Sequence, residues 1–181
     1  MRILTISGSP RADGAAGLLL RSAARLASPD VEFSFYEGLL DLPHFHPDFD
    51  KPAAEVPASV LALRQQLAKA DAVAIATPEY AYGMPGSLKN LLDWLVSSGS
   101  LSGKPVAALG VAPSAMGGEK AQASLVQTLT ALNAVIVPAS SFPVPFIRAR
   151  LDASGSIIDP AFAQTLTEAV AALTAAAARL P

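Results

Sequence analysis

The chain has 181 residues, of which 51% are hydrophobic and 15% charged, a balance that excludes a disordered polypeptide and predicts one domain, residues 1–181, with a well-buried core. A net charge of −2 supplies no electrostatic footprint for a nucleic acid or an anionic membrane. With no cysteine, the chain has no disulfide, thiolate nucleophile or cysteine-ligated metal site, which fits a reducing compartment.

In chain order, Arg2 to Ser7 alternates and is rich in β-branched residues, so it reads as a first strand. The apolar run is too short for a secretory signal and leads into the turn SGSPRADG, and no segment approaches the roughly 18 apolar residues that span a bilayer. A soluble cytoplasmic protein is therefore expected. From Ala15 the spacing becomes helical, with Leu18, Leu19, Leu20, Ala23, Ala24 and Leu26 on one face. Val31 to Tyr36 predicts a second strand, Gly38 to Pro57 a long connection, and Val60 to Leu67 a second helix. A third strand at Ala72 to Ala76 precedes a proline-stiffened loop and a helix from about Ser87 to Ser98. Pro105 to Val111 reads as a fourth strand, Glu119 to Leu132 as a helix, Ala134 to Val137 as a fifth strand and Ala161 to Leu180 as a closing helix, after an irregular span from Pro138 to Asp159.

Strands alternating with helices predict an open parallel sheet covered on both faces. Right-handed crossovers and five strands favour the doubly wound order 2-1-3-4-5, a flavodoxin-like three-layer sandwich. Ligands of such sheets bind beyond the carboxyl ends at the switch point between the first and third strands. The loops with the most unusual chemistry, Ser7 to Gly14 and Pro78 to Gly86, follow those two strands. The first offers hydroxyls, a guanidinium and backbone N–H groups at a helix start, a combination that attracts a phosphate. Its spacing matches neither G-x-G-x-x-G nor a P-loop, so a mononucleotide phosphate suits it better than a dinucleotide or triphosphate. In the second loop two prolines fix φ and remove two N–H donors around an aromatic-rich segment.

Three segments carry a family resemblance: GSPR with a helix five residues later, the long PEYAYGMPGSLKNLLDWL, and SAMGGEKAQ after the fourth strand. Together they resemble the NADPH-dependent FMN reductase family, which includes quinone, azo-dye and chromate reductases, from residue 1 to about residue 137. The resemblance implies a flavodoxin-like fold, non-covalent FMN, NADPH or NADH as co-substrate, a small diffusible electron acceptor, and a homodimer or homotetramer. Carried over, Ser9 and Arg11 hold the FMN phosphate with the backbone of Gly14, Ala15 and Ala16. Pro78, Glu79, Tyr80 and Ala81 lie along the isoalloxazine and ribityl portions, largely through backbone atoms, and Ser114 and Gly117 close the pyrimidine side. The chemistry belongs to the flavin, so no catalytic side chain is required, and the nicotinamide and acceptor would use its open face in turn, in ping-pong order.

The chain departs from the family's usual residues at Gly14, where Ser is common, at Ala16, where Asn or Thr is common, at Ala81, where Asn is usual, and at Ser114, where Gly is usual. Two other readings stand beside the reductase: a flavodoxin-type electron carrier, which the GSPRADGAA loop and weak acidity disfavour, and a fold relative that has lost FMN and acts as a binding protein. His44 and His46, with Asp48 and Asp50, lack the spacing of a metal site, and Phe45 and His46 suggest acceptor contact instead. Leu88, Leu91, Leu92 and Leu95 form the apolar stripe of the third helix, with Trp94 in core or interface and Lys89, Asn90 and Asp93 on a solvated or capping face.

Overall fold

Runs of small and branched apolar residues with few polar interruptions build strands that can be covered on both sides. In the computed structural model, which describes residues 1–11, 13–50, 55–152 and 154–179, they form a parallel sheet. The strands β1 (Arg2–Ser7), β2 (Glu32–Tyr36), β3 (Ala72–Pro78), β4 (Pro105–Val111) and β5 (Val135–Ile136) stand in the order β2-β1-β3-β4-β5. Leu180, the last residue of the expected closing helix, lies outside the described residues.

Alternation along each strand sorts the core into two layers. Leu4, Ile6, Val73, Ile75, Val106 and Ala108 face α2 (Ala58–Lys69), α3 (Gly86–Asp93) and α4 (Glu119–Ala131), with Leu63, Leu91, Trp94 and Leu125 among the fully buried partners. Ile3, Ala72, Ala74, Ala76, Ala107 and Leu109 face α1 (Ala15–Arg25) and α6 (Pro160–Ala177). The three alanines of β3 lie on this second face, where α1 packs, and their short side chains keep that layer thin. Trp94 is core, and its indole N–H donates to the Pro43 carbonyl at 2.8 Å. No helix among the described residues is long and apolar enough to cross a membrane.

The far edge differs from the expected single strand. β5 pairs with Pro105 and Val106, and a further strand, β6 (Pro143–Val144), pairs in parallel with Gly110 and Val111 of the same β4. Between them the chain leaves the sheet through a 3₁₀ turn at Pro138–Ser140. The β4 amide at Ala108, left without a ladder partner on this side, donates instead to Ser141 Oγ at 3.0 Å, and the Ala108 carbonyl accepts from Gln122 Nε2 at 3.4 Å. Side chains thus take over where the ladder is interrupted, as buried backbone polar groups require. A one-turn helix, α5 (Ile147–Arg150), follows β6, so the irregular span ends in ordered structure next to the carboxyl end of β4. α3 stops at Asp93 rather than Ser98, and the chain turns there through Gly99 and Gly103, both at positive φ.

Candidate functional site

The end of β1 delivers Gly8, whose N–H donates to the Ala76 carbonyl of β3 at 2.8 Å, so the first loop leaves the sheet beside the third strand. Ser7 Oγ accepts from Ser9 N at 3.3 Å and Ser9 Oγ accepts from Arg11 N at 3.2 Å, two successive side-chain-to-backbone bonds that curl the loop toward α1. Gly14 is the N-cap of α1 and supplies no side-chain cap, and no carboxylate lies in the first helical turn. The N–H groups of that turn are therefore left to an external acceptor. A Cβ at Gly14 would stand 2.6 Å from Ser9 Oγ and 3.0 Å from the Arg11 carbonyl, so the loop closes on the helix only because glycine stands there. Uncapped donors at Ala15 and Ala16, the Ser9 hydroxyl and the exposed Arg11 guanidinium fit a phosphate monoester. Gly14 and Ala16, where the family commonly has hydrogen-bonding side chains, contribute backbone donors only.

β3 ends at Pro78, and Tyr80 and Gly83 then exchange two backbone hydrogen bonds, N to O at 2.9 Å and 3.0 Å, around Ala81 and Tyr82. Both central residues have positive φ, 48° and 63°, the sign pattern of a type I′ turn, which favours Asn-Gly. A left-handed conformation costs an L-residue other than glycine or asparagine about 1–2 kcal/mol, which explains why asparagine is usual where Ala81 stands. Ala81→Asn is accordingly expected to raise stability by about 0.5–1 kcal/mol in a urea titration, without lengthening any side chain into the sheet.

The Glu79 side chain caps a helix. Its Oε2 accepts from the backbone N–H of Lys120 at 3.0 Å and of Ala121 at 3.2 Å, capping α4, whose own N-cap, Gly118, is left-handed and has no side-chain cap. A carboxylate at a helix N-terminus also meets the favourable end of the helix dipole. The β3 loop is thereby tied to the loop after β4.

That third loop turns at Ser114 to Gly117, with Gly117 N donating to the Ser114 carbonyl at 3.2 Å. Segment 144–146 packs along it: Val144 N donates to the Gly117 carbonyl and Phe146 N to the Ser114 carbonyl. A Cβ on Gly110 would meet the Gly118 carbonyl at 2.6 Å, so β4 and this loop are pressed together through glycines. Tyr80, Tyr82, Met116 and Phe146 project from the three neighbouring loops and are all exposed, Tyr82 to 81%. Phe146, itself at φ 52°, completes this apolar mouth; the sequence offered only its place between two prolines and a basic segment.

The long connection after β2 is anchored to α3 and α2. Phe45 N donates to Asn90 Oδ1 at 2.7 Å, Asn90 Nδ2 donates to the Pro43 carbonyl, and the Phe45 ring meets Trp94 edge-on at 5.1 Å. Asn90 thus pins this segment instead of facing solvent. His46 Nδ1 accepts from Asp48 N and caps the 3₁₀ turn Pro47–Phe49. Among the described residues no group of three or more His, Cys, Asp or Glu is placed to hold a metal ion.

Of the eleven residues expected at the site, Ser9 and Arg11 line a cavity of about 880 Å³ that opens toward β2, where Tyr36, Glu37 and Asp41 form the far wall. Gly14, Ala15 and Ala16 form the helix start beside it. Pro78 ends β3 and Glu79 to Ala81 follow it, while Ser114 and Gly117 follow β4, all at the carboxyl edge of the sheet but outside that cavity. Tyr36 is buried and near Asp41, which together push its phenol up to about 12, and its hydroxyl donates to the Gly38 carbonyl at 3.0 Å.

The model of the NADPH-dependent FMN reductase family matches residues 1–149. The chain is 32% identical over 170 residues to a quinone reductase of Escherichia coli K12, covering 92% of this chain and 90% of that protein. It is 35% identical over 161 residues to a 2-hydroxy-1,4-benzoquinone reductase of a Burkholderia species, covering 87% and 86%. Its fold superimposes with a TM-score of 0.87 and 30% identity on a flavoenzyme NAD(P)H:(acceptor) oxidoreductase of Paracoccus denitrificans, over 98% of this chain and 97% of that one. Uncapped N–H donors at the first switch-point loop, exposed apolar side chains around the next two, a flavodoxin-like strand order and these likenesses converge: the chain belongs to the NADPH-dependent FMN reductase family and is an FMN-dependent NAD(P)H oxidoreductase.

Proposed function

We propose that this enzyme passes electrons from a reduced nicotinamide to small planar acceptors, quinones first among them, in ping-pong order, at a site built from the loops after β1, β3 and β4. FMN, held by these loops, would supply the redox chemistry between the reduced nicotinamide and the acceptor. Ser9, Arg11 and the backbone of Gly14, Ala15 and Ala16 hold the phosphate. Pro78, Glu79, Tyr80 and Ala81 border the ring through their backbone, with Glu79 fixing the loop through α4, while Ser114 and Gly117 border its other side. Tyr82, Met116 and Phe146 narrow the mouth and keep water from it. The observation that carries the reading is the uncapped, carboxylate-free start of α1 closed over by Ser9 and Gly14.

The four exposed apolar side chains at the mouth favour flat, apolar acceptors and support a homodimer or homotetramer in which a second subunit covers part of the rim. The absence of cysteine fits action in the cytoplasm.

Replacing Arg11 with methionine tests the phosphate assignment. A charge-assisted bond is worth about 1.5–3 kcal/mol, so FMN affinity measured by fluorescence quenching should fall about 10- to 150-fold. Riboflavin, which lacks the phosphate, should bind wild type and variant alike. Equal losses for both flavins would remove the phosphate from Arg11. Parallel double-reciprocal plots with a quinone as second substrate test the ping-pong order, and intersecting lines would reject it.

A further inference from the structure

Edge strand β2 leaves an aromatic ring uncovered on the face of the sheet that carries α1. Thr5 of β1 lies in register with Phe35 of β2, and both line the 880 Å³ cavity. α1 packs over β1 and β3, so it walls the trough with Gly17 and Arg21 without covering its floor, and Phe35 remains 39% exposed. The opposite rim is the turn after β2, which carries Glu37, Leu40 and Asp41 and is folded back by the Asp41 N–H to Gly38 carbonyl bond. Neither the Glu37 nor the Asp41 carboxylate makes a hydrogen bond or ion pair with another described residue.

A flat ring on the floor, two carboxylates at the carboxyl end of the second strand and a phosphate loop at the far end make a distinctive set. Aromatic faces stack bases, and carboxylates accept from the hydroxyls of a ribose, as one does beyond the Gly-rich loop of dinucleotide-binding Rossmann sheets, although this chain lacks that loop's glycine spacing. The charges on the lining discriminate further. Arg11 and Arg21 face Asp13, Glu37 and Asp41, an excess of one carboxylate that grows once Arg11 is engaged by the flavin phosphate. A 2′-phosphate on a ribose seated against Glu37 and Asp41 would meet two like charges.

We propose that this trough holds the adenosine half of the nicotinamide dinucleotide, the base on Phe35 and the ribose diol on Glu37 and Asp41, and that NADH is therefore preferred to NADPH. The inference rests on the reading of a reduced nicotinamide as electron donor. It assigns the cavity a role separate from the flavin mouth, with the phosphate loop as the shared wall.

The test uses the FMN-loaded protein and two fragments, ADP-ribose and its 2′-phosphate, followed by calorimetry. ADP-ribose should bind more tightly than the 2′-phosphate, and Phe35→Ala should weaken it about tenfold while FMN affinity is unchanged. The surface pair Glu37→Gln with Asp41→Asn should move the preference toward the 2′-phosphate by about tenfold, with the KM ratio of NADPH to NADH falling in parallel. Tighter binding of the 2′-phosphate to wild type, or ADP-ribose affinity indifferent to Phe35→Ala and to the carboxylate pair, overturns the assignment. Turnover with neither nucleotide would instead strike the donor reading itself, whereas NADH turnover that ignores these substitutions overturns the trough alone.

Discussion

Replacing Arg64 with methionine is expected to destabilise the protein by about 3–5 kcal/mol, because it strips a buried carboxylate of its counter-ion. Asp50 lies within the connection that follows β2, and its side chain is only 6% exposed; Arg64 of α2 donates from Nη2 to Asp50 Oδ1 at 2.6 Å and is itself 16% exposed. The same guanidinium donates twice to the Trp94 carbonyl, at 2.6 Å from Nη2 and 3.2 Å from Nε, where α3 has just ended. One cation thus closes three pieces of chain, and methionine would keep the length of the stem while leaving the carboxylate and the carbonyl without their donor. Urea unfolding monitored through Trp94 fluorescence reads the loss. In an Asp50→Asn background the loss should shrink by about half, since the orphaned charge is gone. A loss below about 1 kcal/mol in the single variant would mean that solvent replaces the guanidinium without strain.

The second large effect is expected at Gly117. An alanine there would carry a left-handed φ of 62° and set its Cβ at 2.7 Å from Pro145 N and 2.8 Å from the Val144 carbonyl carbon. Both neighbours are backbone, and Val144 is simultaneously bonded to the Gly117 carbonyl and paired with β4, so neither side has room to give. Gly117→Ala should lower stability by about 3 kcal/mol or more and weaken FMN quenching through displacement of the loop. Gly103 supplies the control: its φ is 71° but nothing lies within 4 Å of a Cβ, so Gly103→Ala should show only the conformational penalty of about 1–2 kcal/mol. Equal losses at the two positions would show that close approach adds nothing and that the loop after β4 shifts freely.

What could be read from the chain without its structure follows from the range of the forces involved. Strands β1, β3 and β4 are largely buried apolar runs that leave a continuous signal, edge strand β2 alternates, and α1 carries a wide apolar face, so the doubly wound order and the switch-point loops were legible. β6 was not, because a two-residue strand that begins with Pro143 has no period to detect; it is defined by its partners Gly110 and Val111. The expected length of α3 failed for the opposite reason. Leu95 continues the apolar stripe of Leu88, Leu91 and Leu92 and is buried, yet the backbone has already left the helix. Asn90 and Arg64 look like solvated helix residues in sequence, and only the fold brings Phe45 and Asp50 to them. At the site, motif resemblance located the loops but not the work of each side chain: Glu79 sits in the most specific motif, and its partners lie 41 and 42 residues away on α4.

The Glu79 cap makes the first turn of α4 part of the mouth's foundation. Because one carboxylate oxygen holds both Lys120 N and Ala121 N, the loop after β3 and the loop after β4 are clamped to a common post. That post holds the two loops from which Tyr82 and Met116 project. Selection for new acceptors would thus find useful variation outside the pocket, in α4, where a change that tilts the helix start widens or narrows the mouth without touching a group that meets the substrate.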